Sequence, residues 1–149
     1  MQAPARFPAD PAVQRIVALF EQLTVQDLPR LAEIYSADAR FKDPFNEVQG
    51  VAAIQGVFEH MFASLESPRF VIRDTLVQGD QCFLSWDFNF RMKRFNRDAQ
   101  CIRGATHLLL AADGRIQLHR DYWDAAEELY EKLPVLGALM RWLKGRAKR

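Results

Sequence analysis

Apolar residues recur along the chain at helical spacing, and then the period changes. Val13, Ile16, Val17, Phe20 and Leu23 fall on one helical face. Asp10-Pro11 supplies the start of that helix, an aspartate cap followed by proline at the first helical position. A second short helix opens near Asp27 and buries Leu28, Leu31, Ile34 and Tyr35. A third follows Gly50, with Val51, Ile54, Val57, Phe58, Met61 and Phe62 on one side. From Pro68 onward the pattern becomes that of strands, predicted at Phe70–Val77, Cys82–Lys93, Ile102–Ala112 and Arg115–Trp123. Gly79-Asp80 reads as a turn, and Asp113-Gly114 as a two-residue hairpin. The end is helical again over Asp124–Leu133, broken by Pro134 and resumed through Leu143. Helices followed by antiparallel strands, without alternating βαβ units, predict an α+β fold.

Strand alternation sorts side chains by face. Leu84, Trp86, Phe88 and Phe90 share one face, with Asp87, Asn89 and Arg91 on the other. Ile102, Gly104, Thr106, Leu108 and Leu110 point inward, while Arg103 and His107 point outward. Across the hairpin, Ala112 should pair with Arg115, which sets Thr106 opposite Asp121, Leu108 opposite His119 and Gly104 opposite Trp123. Gln117, His119, Asp121 and Trp123 then share a face with Trp86, Phe88 and Leu108. A histidine and an aspartate on an apolar face require an explanation, because buried charge is costly unless paired. The bland explanation is an internal polar pair, satisfied by Arg73 or a tyrosine hydroxyl. The functional one is a pocket, with Gly104 leaving room for an indole or a ligand.

One domain suits 149 residues, of which 49% are hydrophobic and 26% charged. Residues 1–9 read as an arm, 10–133 as the folded domain and 134–149 as a basic amphipathic helix. A net charge of +1 makes no overall case for nucleic acid, and no reading motif is present. Cys82 and Cys101 lie at no metal-ligand spacing and far apart across the hairpin, so both are expected as free thiols and no metal is expected. No apolar run reaches the length of roughly 18–20 residues that a membrane span needs, and the start lacks a secretory apolar region, so a cytoplasmic location is expected.

The stretch YSADARFKDPFNEVQGVAAI (residues 35–54) and the stretch DGRIQLHRDYW (residues 113–123) resemble the nuclear transport factor 2-like, or SnoaL-like, superfamily, which includes ketosteroid isomerases and polyketide cyclases. The resemblance runs from about Asp10 to Trp123. It implies a cone, in which a bent antiparallel sheet wraps helices around a deep apolar pocket. It also implies chemistry that needs no cofactor. Asp43 occupies the place of the ketosteroid isomerase base, with Asn46 where those enzymes carry glycine. The two oxyanion-donor positions hold Leu19 and Thr106, so steroid isomerisation by the usual apparatus is not expected. Asp121 is similar to the pocket aspartate of the polyketide cyclases.

The expected site therefore has Asp43 as general base, and His119 and Asp121 as acid or orienting groups. Leu19, Phe58, Trp86, Phe88, Gly104, Thr106 and Trp123 are expected to line a pocket for a small hydrophobic molecule. The reaction would be an isomerisation, cyclisation or dehydration. For Asp43 the bland alternative is turn chemistry, since aspartate before proline starts turns. The competing class is a non-catalytic ligand carrier or dimeric interaction module. Many relatives pair through the outer sheet face, which implies a homodimer. The tail LPVLGALMRWLKGRAKR has five bases and no acid, and Lys132 just before it makes six bases from Lys132 to Arg149. It reads as a packing helix with a solvated basic end, or as a peripheral contact with anionic lipid through Trp142.

Overall fold

A computed structural model describes residues 10–93, 97–128 and 134–147. The arm at residues 1–9, residues 94–96 between the second and third predicted strands, and the end of the folded domain at residue 133 lie outside those residues. Helix α1 (Pro11–Gln22) begins as its sequence requires, with the Asp10 carboxylate accepting from the amides of Ala12 and Val13. A 3₁₀ stretch (Val25–Arg30) leads into one turn of helix, α2 (Leu31–Ile34). The chain then enters strand β1 (Tyr35–Lys42) directly, so Tyr35 belongs to a strand and not to the second helix. A short β2 (Glu47–Gln49) and α3 (Val51–Ser64) follow. Gly50 makes the corner between them at φ 94°, a conformation that costs glycine little.

Four long strands complete the sheet: β3 (Leu65–Gln78), β4 (Gln81–Met92), β5 (Gln100–Leu110) and β6 (Ile116–Tyr122). The sheet order is β2-β1-β6-β5-β4-β3. All neighbours are antiparallel except β1 and β6, which run parallel. Strand β3 starts five residues before the predicted Phe70, because register breaks at Glu66/Arg69 and Ile72/Asp74 accommodate Pro68 and bend the strand. These bulges curve the sheet over α1 and α3. Within the concave side, Phe20 of α1 stacks on Phe58 of α3 at 6.5 Å, and Phe58 meets Phe41 of β1 at 6.0 Å. Val13, Leu31, Tyr35, Ile54 and Leu108 are fully enclosed, each large side chain contributing about 1.5–3 kcal/mol by leaving water.

The β5–β6 hairpin corrects one expectation and keeps its consequence. Its turn spans Ala111 to Arg115, closed by the Ala111 amide on the Arg115 carbonyl at 2.8 Å, so Ala112 and Arg115 do not pair. Leu110 pairs with Ile116, whereas Leu109 pairs with Leu118, leaving Gln117 as an extra residue. That bulge shifts the register by one, and Thr106 still faces Asp121 and Leu108 still faces His119. It also reverses the face near the turn. Ile116 is buried and Gln117 is exposed, the opposite of the predicted inward Gln117.

The short helix α4 (Ala125–Glu128) is the described part of the predicted Asp124–Leu133 helix. Helix α5 (Pro134–Ala147) carries exposed Leu139, Trp142 and Leu143. Among the described residues, no helix is long and apolar enough to cross a membrane. Cys82 is buried and Cys101 exposed, both as free thiols. Burial, with a smaller effect from Asp10, pushes the Cys82 thiol up to about 11.

Candidate active site

The concave face encloses a cavity of about 180 Å³ between α1, α3 and the inner sides of β3–β6. Its floor and walls are apolar and mostly aromatic: Phe58, Phe70, Trp86, Phe88 and Trp123 contribute rings. Asp43, Asn46, Thr106, His119 and Asp121 interrupt that apolar lining. The parallel β1–β6 pair explains why two aspartates arrive together. Phe41 is in register with His119, and Lys42 with Arg120, so Asp43 and Asp121 follow next on adjacent strands. Both also border an open groove with Lys42, Pro44, Arg120, Tyr122 and Asp124, which places them where the cavity meets the surface.

A chain of hydrogen bonds runs along the cavity wall. The indole N–H of Trp86 donates to Thr106 Oγ1 at 2.8 Å, and the Thr106 hydroxyl donates to Asp121 Oδ1 at 2.6 Å. His119 Nε2 lies 2.6 Å from the same Oδ1, and His119 Nδ1 lies 2.6 Å from the Tyr35 hydroxyl. An ionised carboxylate only accepts, so His119 Nε2 donates to it. Burial, and then the Asp121 charge, push the Tyr35 phenol well above its ordinary value. Tyr35 therefore keeps its proton and donates to His119 Nδ1. Every donor in the chain points toward Asp121. Its Oδ2 receives no hydrogen bond among the described residues, although the side chain is only 15% exposed. Phe41 packs against the His119 ring at 4.6 Å and Phe20 meets it edge-on at 5.8 Å, fixing the imidazole plane.

Asp43 is held differently. Its Oδ1 accepts from the amides of Phe45 (2.7 Å) and Asn46 (2.6 Å), and the Asn46 side-chain amide reaches both carboxylate oxygens at 3.1 and 3.0 Å. The Asp43 amide closes the turn on the Asn46 carbonyl at 2.9 Å. Asp43 thus builds the turn and also lines the cavity. Phe45, beyond Pro44, packs edge-on against Trp123 at 5.6 Å and frames the entrance.

Of the other expected lining residues, Phe58, Trp86, Phe88, Thr106 and Trp123 border the cavity. Leu19 does not: it is buried in α1, and Phe20, one position along and about 100° around the helix, takes the wall instead. Gly104 is not on the wall either. It pairs with Trp86 across β4–β5, and a Cβ there would lie 2.5 Å from the Trp86 ring. Gly104 therefore seats the Trp86 indole; the expected cross-strand partner, Trp123, lies beyond the end of β6. Arg73 does not serve His119 or Asp121, since it pairs with Asp87, its Nε at 2.8 Å. Phe20, Phe41 and Phe70 on the wall, and Tyr35 behind it, are among the contributors that sequence reasoning missed. Period-two alternation from Tyr35 through Ala39 and Phe41 carried the signal for two of them. Among the described residues, no cluster of three or more His, Cys, Asp or Glu has metal-binding geometry.

The outer sheet face is a separate surface. Leu76, Phe83, His107 and Arg120 form a row across β3–β6, and the His107 ring stacks on Phe83 at 4.4 Å. His107 bonds Gln81 at 3.0 Å and has no place in the cavity.

The SnoaL-like domain family profile matches residues 16–119 of the chain. No curated protein matches it. Among solved structures, a hypothetical protein with a ketosteroid isomerase-like fold from Catenulispora acidiphila, in complex with trimethylamine, is 18% identical with a TM-score of 0.70, covering 82% of this chain and 92% of that one. TerC, co-crystallised with polyporic acid, is 17% identical with a TM-score of 0.69, covering 79% of this chain and 95% of that one. An LEH-like epoxide hydrolase from M. tuberculosis is 15% identical with a TM-score of 0.62, covering 78% and 83%. At these identities the likeness concerns the fold, with its cone of helices and curved sheet.

Proposed function

The chain belongs to the SnoaL-like domain family, and on that premise we propose that it binds a small hydrophobic molecule in its cavity and moves a proton on it without a cofactor. The observation that carries this reading is a largely buried carboxylate, Asp121, with one oxygen committed to protein donors and the other unbonded beside an aromatic cavity. Asp121 Oδ2 is the base in this reading. It takes a proton from a ligand carbon, the electron pair moves into an adjoining carbonyl, and the proton returns elsewhere in an isomerisation. Cyclisation and dehydration share the first step. His119 and Tyr35 are positioning residues, because both ring nitrogens of His119 are already bonded within the protein. The indole N–H of Trp123 has no protein partner among the described residues and is available to the ligand oxygen. Asp43 shapes the entrance; its bonds to Phe45 and Asn46 leave it less free than Asp121 to accept a proton.

Native mass spectrometry of the protein taken from its own cells should find a retained small hydrophobic molecule. Turnover of that molecule should collapse in Asp121→Asn. Undiminished turnover would remove the base role and leave a carrier.

Two surfaces extend the reading. Exposed Leu76, Phe83 and Tyr122 on the outer sheet face suit a homodimer, which sedimentation of Phe83→Glu tests by dissociation. On α5, Arg146 lies over the exposed Trp142 ring at 5.0 Å, beside exposed Leu139 and Leu143. That combination suits peripheral contact with anionic lipid. Flotation with phosphatidylserine vesicles should lose a chain truncated after Leu133, and equal flotation of both forms would end the idea.

A further inference from the structure

We infer that the ligand of this cavity carries a positive charge on an otherwise apolar body, as a tertiary or quaternary ammonium does. The inference rests on the cavity being a ligand site, as proposed above, and goes further by naming the ligand's charge.

Two independent features of the wall agree. The first is its charge. Asp43 and Asp121 both border the cavity, and none of the described lining residues is a lysine or an arginine. Among the described residues, neither aspartate forms an ion pair with a lysine or arginine, and Asp121 pairs with His119 alone. The remaining ionisable lining residue is His60, at the exposed end of the wall and bonded to Ser64. Even with His119 protonated, the two carboxylates meet no lysine or arginine among the described residues of the cavity wall; Lys42 and Arg120 border only the outer groove. A carboxylate mostly shielded from water at the cavity mouth, with an open oxygen, favours a cation more than one fully exposed at the surface would.

The second is the kind of apolar surface. The lining includes seven aromatic rings, where aliphatic side chains would fill the same volume without a preferred sign of charge. Aromatic faces are electronegative, and a desolvated cation over them is attracted by the ring quadrupole. Phe70 illustrates the density of these rings, stacking on Phe88 at 4.5 Å and meeting Trp86 edge-on at 5.6 Å. A neutral hydrophobe would gain from the rings and leave the two carboxylates without a counter-charge. An anion would be repelled by both.

The test compares two molecules of one shape. The probes are para-trimethylammoniophenol and para-tert-butylphenol, which differ in a charged nitrogen against a carbon. Isothermal titration at pH 7 should give tighter binding of the ammonium compound by about tenfold, the scale of a desolvated cation–ring contact. Asp121→Asn, nearly isosteric, should bring the two affinities close together while para-tert-butylphenol binds as before, which also reports an intact cavity. Asp43→Asn, as a second variant, should narrow the difference by less. Equal or tighter binding of the neutral phenol to the wild-type protein overturns the inference and leaves the cavity reading standing. Binding of neither probe overturns both. A preference for the ammonium that survives in both variants also overturns it, because the carboxylates would then play no part.

Discussion

Asp43 and Asp121 are the same residue type on neighbouring parallel strands, at the ends of Phe41–Lys42 and His119–Arg120, and both border one cavity. They are bonded in opposite ways. Each contact to the Asp43 carboxylate comes from within three residues along the chain. Asp121 is held by Thr106, fifteen residues away, and by His119, which is itself held by Tyr35, eighty-four residues from it. A locally bonded aspartate is explained by the turn it makes. An aspartate held by Thr106 of β5 and by His119 of its own strand, itself fixed by Tyr35 of β1, requires β1, β5 and β6 to come together first, and the turn chemistry that explains Asp43 does not explain its open oxygen. The difference separates a residue that serves folding from one the fold serves.

The largest expected effect tests that separation directly. With the molecule retained by the protein as substrate, Asp121→Asn should lower turnover by about 10²–10⁴-fold, the usual contribution of a positioned acid–base group. Asp43→Asn keeps the turn's acceptor oxygen and should stay within about tenfold of wild type. Equal losses would erase the distinction, and a larger loss at Asp43 would reverse it.

What could be read from the chain divides along the same line. The first and third helices, the inward sets on β4 and β5, and the pairing of Thr106 with Asp121 follow from local periodicity, and the structure keeps them. The β5–β6 register was reached through a turn one residue too short, and the bulge at Gln117 cancelled the error. Alternation contains no record of a bulge, so it predicts Gln117 inward where the structure exposes it. The parallel pairing of β1 with β6 joins segments about eighty residues apart, and nothing local signals it. Tyr35 reads as the end of a helix because its helical spacing from Leu28 and Leu31 competes with the alternation that runs from it to Phe41, and its bond to His119 exists only in the assembled sheet. Leu19 failed for a smaller reason. A helical position is fixed only to within one residue by counting from a distant motif, and one residue turns the side chain off the wall.

A middle-sized effect concerns the far end of the hydrogen-bond chain. In Gly104→Ala the new Cβ would fall 2.5–3.0 Å from three atoms of the Trp86 ring. The indole must move, and its N–H would leave Thr106 Oγ1. Overpacking of this kind costs about 1–3 kcal/mol, measurable as a lower urea midpoint with a changed tryptophan fluorescence maximum. Unchanged stability and fluorescence would mean that the Trp86–Thr106 link is not part of what holds Asp121.

The smallest effect lies at the other end, and pH distinguishes it from simple loss of packing. Tyr35→Phe removes one hydroxyl and leaves His119 Nδ1 without its buried partner, a cost of about 1–2 kcal/mol at neutral pH. The Tyr35 phenol is raised well above its ordinary value, first by burial and then by the Asp121 charge. Unfolded tyrosine loses its proton near pH 10, by order of magnitude. Above that pH the folded protein therefore holds one proton more than the unfolded chain, and its stability falls as pH rises, by about 1.4 kcal/mol per unit, until the folded phenol ionises. The Tyr35→Phe protein has no such proton. The stability difference between wild type and variant should thus be constant up to about pH 10 and shrink above it. Cys82 titrates in both proteins and cancels. A difference that stays flat through the alkaline range would show that the proton on Tyr35 is not held by burial beside Asp121, and the directional chain ending on that carboxylate would lose its first donor.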